Sequence, residues 1–142
     1  MGQRVSIVVE DTNMLSDDSG RVTFQSVSPI GDTDTNALPV KDVGPAVAYY
    51  TQVLGFDVVS RDGDAAVLRR GTATIGLQKN DVDPEQASCY FSVSDVDVLR
   101  AEYAAKNVEP SPVRVDEYNG KSYRVFFAKE PYGVCFCFGQ AV

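Results

Sequence analysis

At 142 residues, 44% hydrophobic and 23% charged, the chain has the composition of one globular domain with a substantial core. Twenty acidic against thirteen basic residues give a net charge of −7, and the scattered Lys and Arg residues argue against a phosphate backbone as partner. The same charge favours a cationic small molecule or simply maintains solubility, and the absence of any histidine removes the commonest metal ligand and the commonest general base together.

Residues 1–35 form an N-terminal extension, with strand-like runs at 4–9 and 22–27 around a polar loop at 10–20. Two placements are open for these strands: an extra hairpin, or addition of one of them to the sheet edge of a partner subunit. Asp32-Thr33-Asp34-Thr35-Asn36 has the opening of a calcium loop, but Ala37 stands where Gly is needed and Val43 where Glu is needed, so it reads as a solvated loop. A strand ending near Val40 leads to Asp42, placed to cap a helix whose first turn tolerates Pro45 and whose stripe is Val43, Val47, Tyr50 and Leu54. Gly55 supplies a left-handed stop, and strands are expected at 56–61, 65–70 and 73–79, with Asp62-Gly63 and Gly71 as turns. The Asp-rich segment 80–86, containing Pro84, is a linker. Beyond it come a strand at 88–93 and a helix at 96–106 facing inward through Val96, Leu99 and Tyr103, with Asn107 in the place of Gly55. Strands at 113–117, 123–129 and 134–139, joined by Asn119-Gly120 and Pro131-Tyr132-Gly133, end the chain.

The two halves repeat one unit. Residues 38–50 align without a gap on 91–103, and five of the thirteen pairs are identical: Val40 and Val93, Asp42 and Asp95, Val43 and Val96, Ala48 and Ala101, Tyr50 and Tyr103. Each half reads as a β-α-β-β-β unit, over 36–79 and 87–139, within a domain spanning 36–142. The three cysteines, Cys89, Cys135 and Cys137, are an odd set without zinc-like spacing, and Cys135 and Cys137, two apart on one strand, are poorly placed to bridge, so reduced thiols are expected. With no apolar run as long as a membrane span and no leader-like start, a soluble cytoplasmic protein with no membrane or nucleic-acid partner is expected.

Pro-Val-Lys-Asp-Val-Gly-Pro-Ala-Val-Ala-Tyr-Tyr-Thr-Gln-Val-Leu-Gly-Phe at 39–56, and Glu-Pro-Tyr-Gly-Val-Cys-Phe-Cys-Phe-Gly at 130–139, resemble the vicinal oxygen chelate superfamily. That superfamily holds glyoxalase I, extradiol dioxygenases, and the fosfomycin and bleomycin resistance proteins. The resemblance implies an α+β fold, two tandem β-α-β-β-β units whose curved mixed sheets cup a pocket on the side away from the helices. It also implies, for the enzymes, a divalent metal held by side chains on the first and last strands of each unit. Those positions fall here on Thr35, Gly76, Ser88 and Cys137, and a register slip brings in only Gln78 or Tyr90. Hydroxyls, a glycine and a thiol cannot replace imidazoles and carboxylates around a hard or borderline cation. The likeness is therefore to the metal-free branch of bleomycin resistance proteins, with a shared Leu-Pro-x-x-Asp opening at Leu38, a strand, Gly turn and strand over 61–77, and an Asp-Pro linker at Asp83. It implies a homodimer that binds a bulky cationic antibiotic in interface clefts without chemistry.

Strand alternation sends Leu38, Val40, Ile75, Leu77, Phe91, Val93, Phe136 and Phe138 to the helix side as core. Thr74, Gly76, Gln78, Ser88, Tyr90, Ser92, Val125, Phe127, Cys135 and Cys137 then line the open side. The candidate ligand-binding residues are Gln78, Ser88, Tyr90, Ser92, Tyr118, Phe127 and Cys137, with Tyr90 and Phe127 equally suited to packing on a partner subunit. Asp116 and Glu117 beside Tyr118, and Asp81, Asp83 and Glu85 in the linker, either ring a cleft and attract a cation or are ordinary solvated charge. Cys137 has no histidine to activate it and no helix N-terminus beside it, so an inert thiol is expected, with no catalytic residue and no cofactor. The expected function is metal-independent sequestration of a hydrophobic or cationic compound. The alternatives are a lyase, isomerase or dioxygenase-like enzyme on the same scaffold, or a domain with a filled pocket that only mediates assembly.

Overall fold

Asp42 and Asp95 hold equivalent places in the two halves because each starts a helix. The computed structural model describes residues 22–142, and in it Asp42 Oδ1 accepts from the Gly44 amide at 3.2 Å while Asp95 Oδ1 accepts from those of Asp97 and Val98 at 3.1 Å. Each cap satisfies amides that have no partner within the helix and offsets the positive end of its dipole, worth about 1 kcal/mol per helix. The helices are α1, Val43–Gln52, and α2, Val96–Ala105, and they bury Val43, Ala46, Val47 and Tyr50, and Val96, Leu99 and Tyr103. Behind them the chain turns through Gly55 at φ 83° and Asn107 at φ 64°, the two residue types that enter the left-handed region at least cost.

Among the described residues the strands are β1, Phe24–Pro29; β2, Leu38–Val40; β3, Asp57–Asp62; β4, Ala65–Arg70; β5, Ala73–Lys79; β6, Ser88–Val93; β7, Arg114–Tyr118; β8, Lys121–Lys129; and β9, Cys135–Ala141, with a 3₁₀ turn, Pro84–Gln86, in the linker. Each half builds a sheet in which the first strand pairs parallel with the last, giving the orders β2-β5-β4-β3 and β6-β9-β8-β7. This is the α+β architecture of two β-α-β-β-β units expected from the repeat. Asn119 and Gly120 at φ 53° and 76° form the primed hairpin turn between β7 and β8 that their sequence calls for.

β1 is the part of the extension that the structure describes as a strand. It joins β6 of its own chain antiparallel, with Val27 opposite Phe91 and Ser28 opposite Tyr90, and makes the second sheet five-stranded. Phe24, fully buried, draws it there: its ring meets those of Phe56, Phe91 and Phe138 at 5.8, 5.5 and 6.0 Å. Thr72 ties the other side, its amide bonding the Phe24 carbonyl and its hydroxyl the Gln25 carbonyl. The run at 4–9 and the loop at 10–20 lie outside the described residues.

The repeated tyrosines cross the boundary between the units reciprocally. Tyr50 of α1 donates its hydroxyl to Glu130 of the second unit at 3.2 Å, and Tyr103 of α2 donates its own to the Leu54 carbonyl of the first at 2.9 Å. Arg70 closes the same seam, with both terminal nitrogens 2.9 Å from the Glu102 carboxylate, one 2.8 Å from the Leu54 carbonyl, and the guanidinium over Phe24. The eight side chains assigned to the helix face by alternation, Phe91 and Phe138 among them, are all buried.

Candidate functional site

The open face of the second sheet depends on Gly139. A Cβ there would run into the ring and hydroxyl of Tyr90, so glycine lets the tyrosine lie across β9. Gly76 has a different role in the first sheet: a Cβ would strike the main chain of Asn36, and the Gly76 amide donates to the Thr35 carbonyl at 2.9 Å. The segment 34–36 thus covers the middle of the first sheet, while the second stays open.

On the second sheet lies a cleft of about 510 Å³, lined by Ser28 and Pro29 of β1, Tyr90 of β6, Asp116, Glu117 and Tyr118 of β7, and Tyr123 and Val125 of β8. Its volume is within the range typical of small-molecule sites, ~300–1,000 Å³. Tyr90 is half-buried, and burial first, then Cys137 and Tyr123, push its hydroxyl above the ordinary value, so it stays neutral and able to donate. Tyr118 stands 70% exposed at the rim. Asp116 is engaged by Arg114, Nε to Oδ1 at 2.9 Å and Nη2 to Oδ2 at 3.1 Å, and the Arg114 guanidinium lies 4.8 Å from the Phe127 ring centre.

Of the residues singled out from the sequence, Tyr90 and Tyr118 meet in this cleft together with Asp116 and Glu117. Ser88, Ser92, Phe127 and Cys137 share the sheet face outside its lining: Ser88 is opposite Cys135, Cys137 lies between Tyr90 and Phe127, and the Ser92 hydroxyl donates to Gln25 at 2.8 Å. Gln78 is exposed on the other sheet, between Ala65 and Pro39. Tyr123, Ser28 and Pro29 were not singled out. For Tyr123 the signal was present, since it alternates with Val125 and Phe127 on one strand; for Ser28 and Pro29 it was not, because their place depends on β1 finding β6. Asp81 and Asp83 line a separate open groove of about 670 Å³ at the linker, beside Lys41 and Lys79.

The thiols are set up for inertness. Burial, then Asp116 and Cys135, raise the Cys137 thiol to about 11, and burial raises Cys89, on the core side, to about 12. Both are protonated at neutral pH and poor nucleophiles. The positions a metal would need do not fit one: Gly76 offers no donor side chain and is covered by main chain, and Thr35, Ser88 and Cys137 supply only two hydroxyls and a thiol, with no carboxylate or imidazole. Among the described residues, no three His, Cys, Asp or Glu side chains gather to hold an ion, and no helix is long and apolar enough to cross a membrane.

Comparison with known proteins agrees with this architecture. Residues 32–138 match the family model "Glyoxalase/Bleomycin resistance protein/Dioxygenase superfamily". The fold is similar to the bleomycin-binding protein of bleomycin-producing Streptomyces verticillus, solved with copper(II)-bleomycin, at 26% identity and a TM-score of 0.58 over 75% of this chain and 93% of that one. It is also similar to the bleomycin resistance determinant encoded on the transposon Tn5, at 19% identity and a TM-score of 0.64 over 78% and 98% of the two chains. A virulence protein of Salmonella typhimurium has the same fold at 19% identity and a TM-score of 0.64, over 80% and 98%. No curated protein matches the sequence. The family match spans most of the chain, including both repeated units and all but the first strand, and on that ground the chain belongs to the glyoxalase/bleomycin resistance protein/dioxygenase superfamily.

Proposed function

We propose that this chain is a metal-independent small-molecule-binding protein of the bleomycin resistance type, working in the cytoplasm as a homodimer that sequesters a hydrophobic or cationic compound in a cleft at its subunit interface. The observation that carries the reading is the cleft itself: Tyr90, Tyr118 and Tyr123 around Val125, with Asp116 and Glu117 at one side. Tyrosine faces supply stacking area with little side-chain entropy to lose and attract cations, while the carboxylates and the net charge of −7 steer a cation inward. The structural likeness to a protein solved with copper(II)-bleomycin supports the same ligand class. Tyr118, 70% exposed, leaves one wall unfinished in a single chain, which is what a second subunit would complete. In this reading Tyr90 and Tyr118 stack on the ligand, Ser88, Ser92, Phe127 and Cys137 extend the contact face, and Gln78 reaches the ligand from the other subunit.

Calorimetric titration with metal-free bleomycin tests the proposal. Binding is expected, weakened about tenfold in Tyr118→Ala, a loss of ~1.4 kcal/mol, and reduced by added salt. Absence of binding, together with no rise in melting temperature across a panel of glycopeptide, cationic and aromatic compounds, would refute it.

A further inference from the structure

Arg114 holds a lining residue of the tyrosine cleft, Asp116, from outside the lining. It sits opposite Val125 in the β7–β8 register, yet its side chain leans two residues along β8 to lie over Phe127, 4.8 Å from the ring centre. The same guanidinium makes a two-pronged contact with Asp116, at 2.9 and 3.1 Å. An aromatic face and a carboxylate are therefore holding a planar delocalised cation, the arrangement that suits a guanidinium better than an ammonium. The contact is exposed, the Arg114 side chain at 62% and that of Asp116 at 42%, so both of its components are weak and exchangeable with an equivalent group from solution. Register identifies what lies behind it. Phe127 is opposite Cys137, and Cys137 is opposite Tyr90 on the cleft floor, but the cleft reaches Asp116 and Val125 and stops short of Phe127.

We propose that Arg114 is a displaceable internal occupant of a planar-cation subsite formed by Phe127 and Asp116. A ligand carrying a guanidinium, an amidinium or a cationic heteroaromatic ring takes its place and extends the cleft toward Cys137. The inference rests on the ligand-binding reading above and narrows it to one class of cation. Cys137 is a reporter inside the same face, only 8% exposed while Arg114 is in place.

The test is titration of phenylguanidine, with phenylurea as its neutral counterpart, into the intact wild type, Arg114→Ala, and Arg114→Ala combined with Phe127→Leu. Arg114→Ala is expected to bind phenylguanidine about fivefold more tightly than wild type, the order of an exposed cation–π contact, with phenylurea unchanged and the gain lost with Phe127. Peptide mapping after iodoacetamide should find Cys137 alkylated faster in Arg114→Ala and protected by phenylguanidine. An unchanged or weaker affinity in Arg114→Ala, an equal gain for phenylurea, or a gain that survives loss of Phe127 overturns the inference. Bleomycin titrated into the same samples separates the two claims: if it binds wild type while the phenylguanidine pattern is absent, only the subsite fails. If neither compound binds any form, both fall.

Discussion

Glu130 is 3% exposed, yet its carboxylate has good company: Oε1 accepts from the Tyr132 and Val134 amides at 2.9 and 2.7 Å, and Oε2 from the Tyr50 hydroxyl. Burial still dominates and raises its pKa above the ordinary 4.5, with the hydrogen bonds from Val134, Tyr50, Tyr132 and Gly133 opposing it. A carboxyl whose folded pKa is raised contributes stability that is complete below its unfolded pKa and lost as pH climbs through the folded one. Urea midpoints taken upward from pH 4.5 should therefore show a loss attributable to this site, and Glu130→Gln, which keeps an acceptor for both amides, should flatten that part of the profile. Glu130→Ala strands buried donors and should cost about 2–3 kcal/mol where the carboxyl is protonated, and less as pH rises through its folded pKa. An identical pH profile in Glu130→Gln would contradict this account. In the sequence Glu130 stood only as the first residue of the motif at 130–139. Its partnership with Tyr50 spans eighty positions, and no local pattern carries such a contact.

At the scale of elements, what repeats was legible and what is unique was not. The two Asp caps, the buried stripes, the Gly55 and Asn107 stops and the primed turn at Asn119-Gly120 are local chemistry, readable from spacing alone. β1 has no counterpart in the repeat, and its pairing with β6 joins Phe24 to Val93 across about half of the chain. The strand was legible within two residues; its partner was not. β1 lies wholly outside the 32–138 family match, but its Phe24 is central to the aromatic core, in contact with rings from both units. Phe24→Ala should cost about 3–5 kcal/mol in urea denaturation, as for other large aromatic truncations in cores. A cost under about 1 kcal/mol would mean that the strand is an ornament on the fold.

For the molecule as a whole, the two units face each other through exchanged contacts. Tyr50 reaches into the second unit, Tyr103 reaches back, and Arg70 with Glu102 bridges the seam. The open faces have diverged: the first sheet is covered by its own segment 34–36 at Gly76, while the second keeps a tyrosine-walled cleft lined by Tyr90, which packs against Gly139. The sequence pointed to the aromatic and acidic character of that cleft through Tyr90, Asp116, Glu117 and Tyr118, but not to the contact of the Arg114 guanidinium with the Phe127 ring, which depends on a rotamer. The central claim is that this cleft binds a small molecule without metal. Native mass spectrometry of metal-stripped protein, recorded with and without metal-free bleomycin and followed by elemental analysis, tests it most directly. The account predicts a metal-free dimer that takes up the ligand. Uptake that appears only after a stoichiometric divalent ion is restored would contradict it.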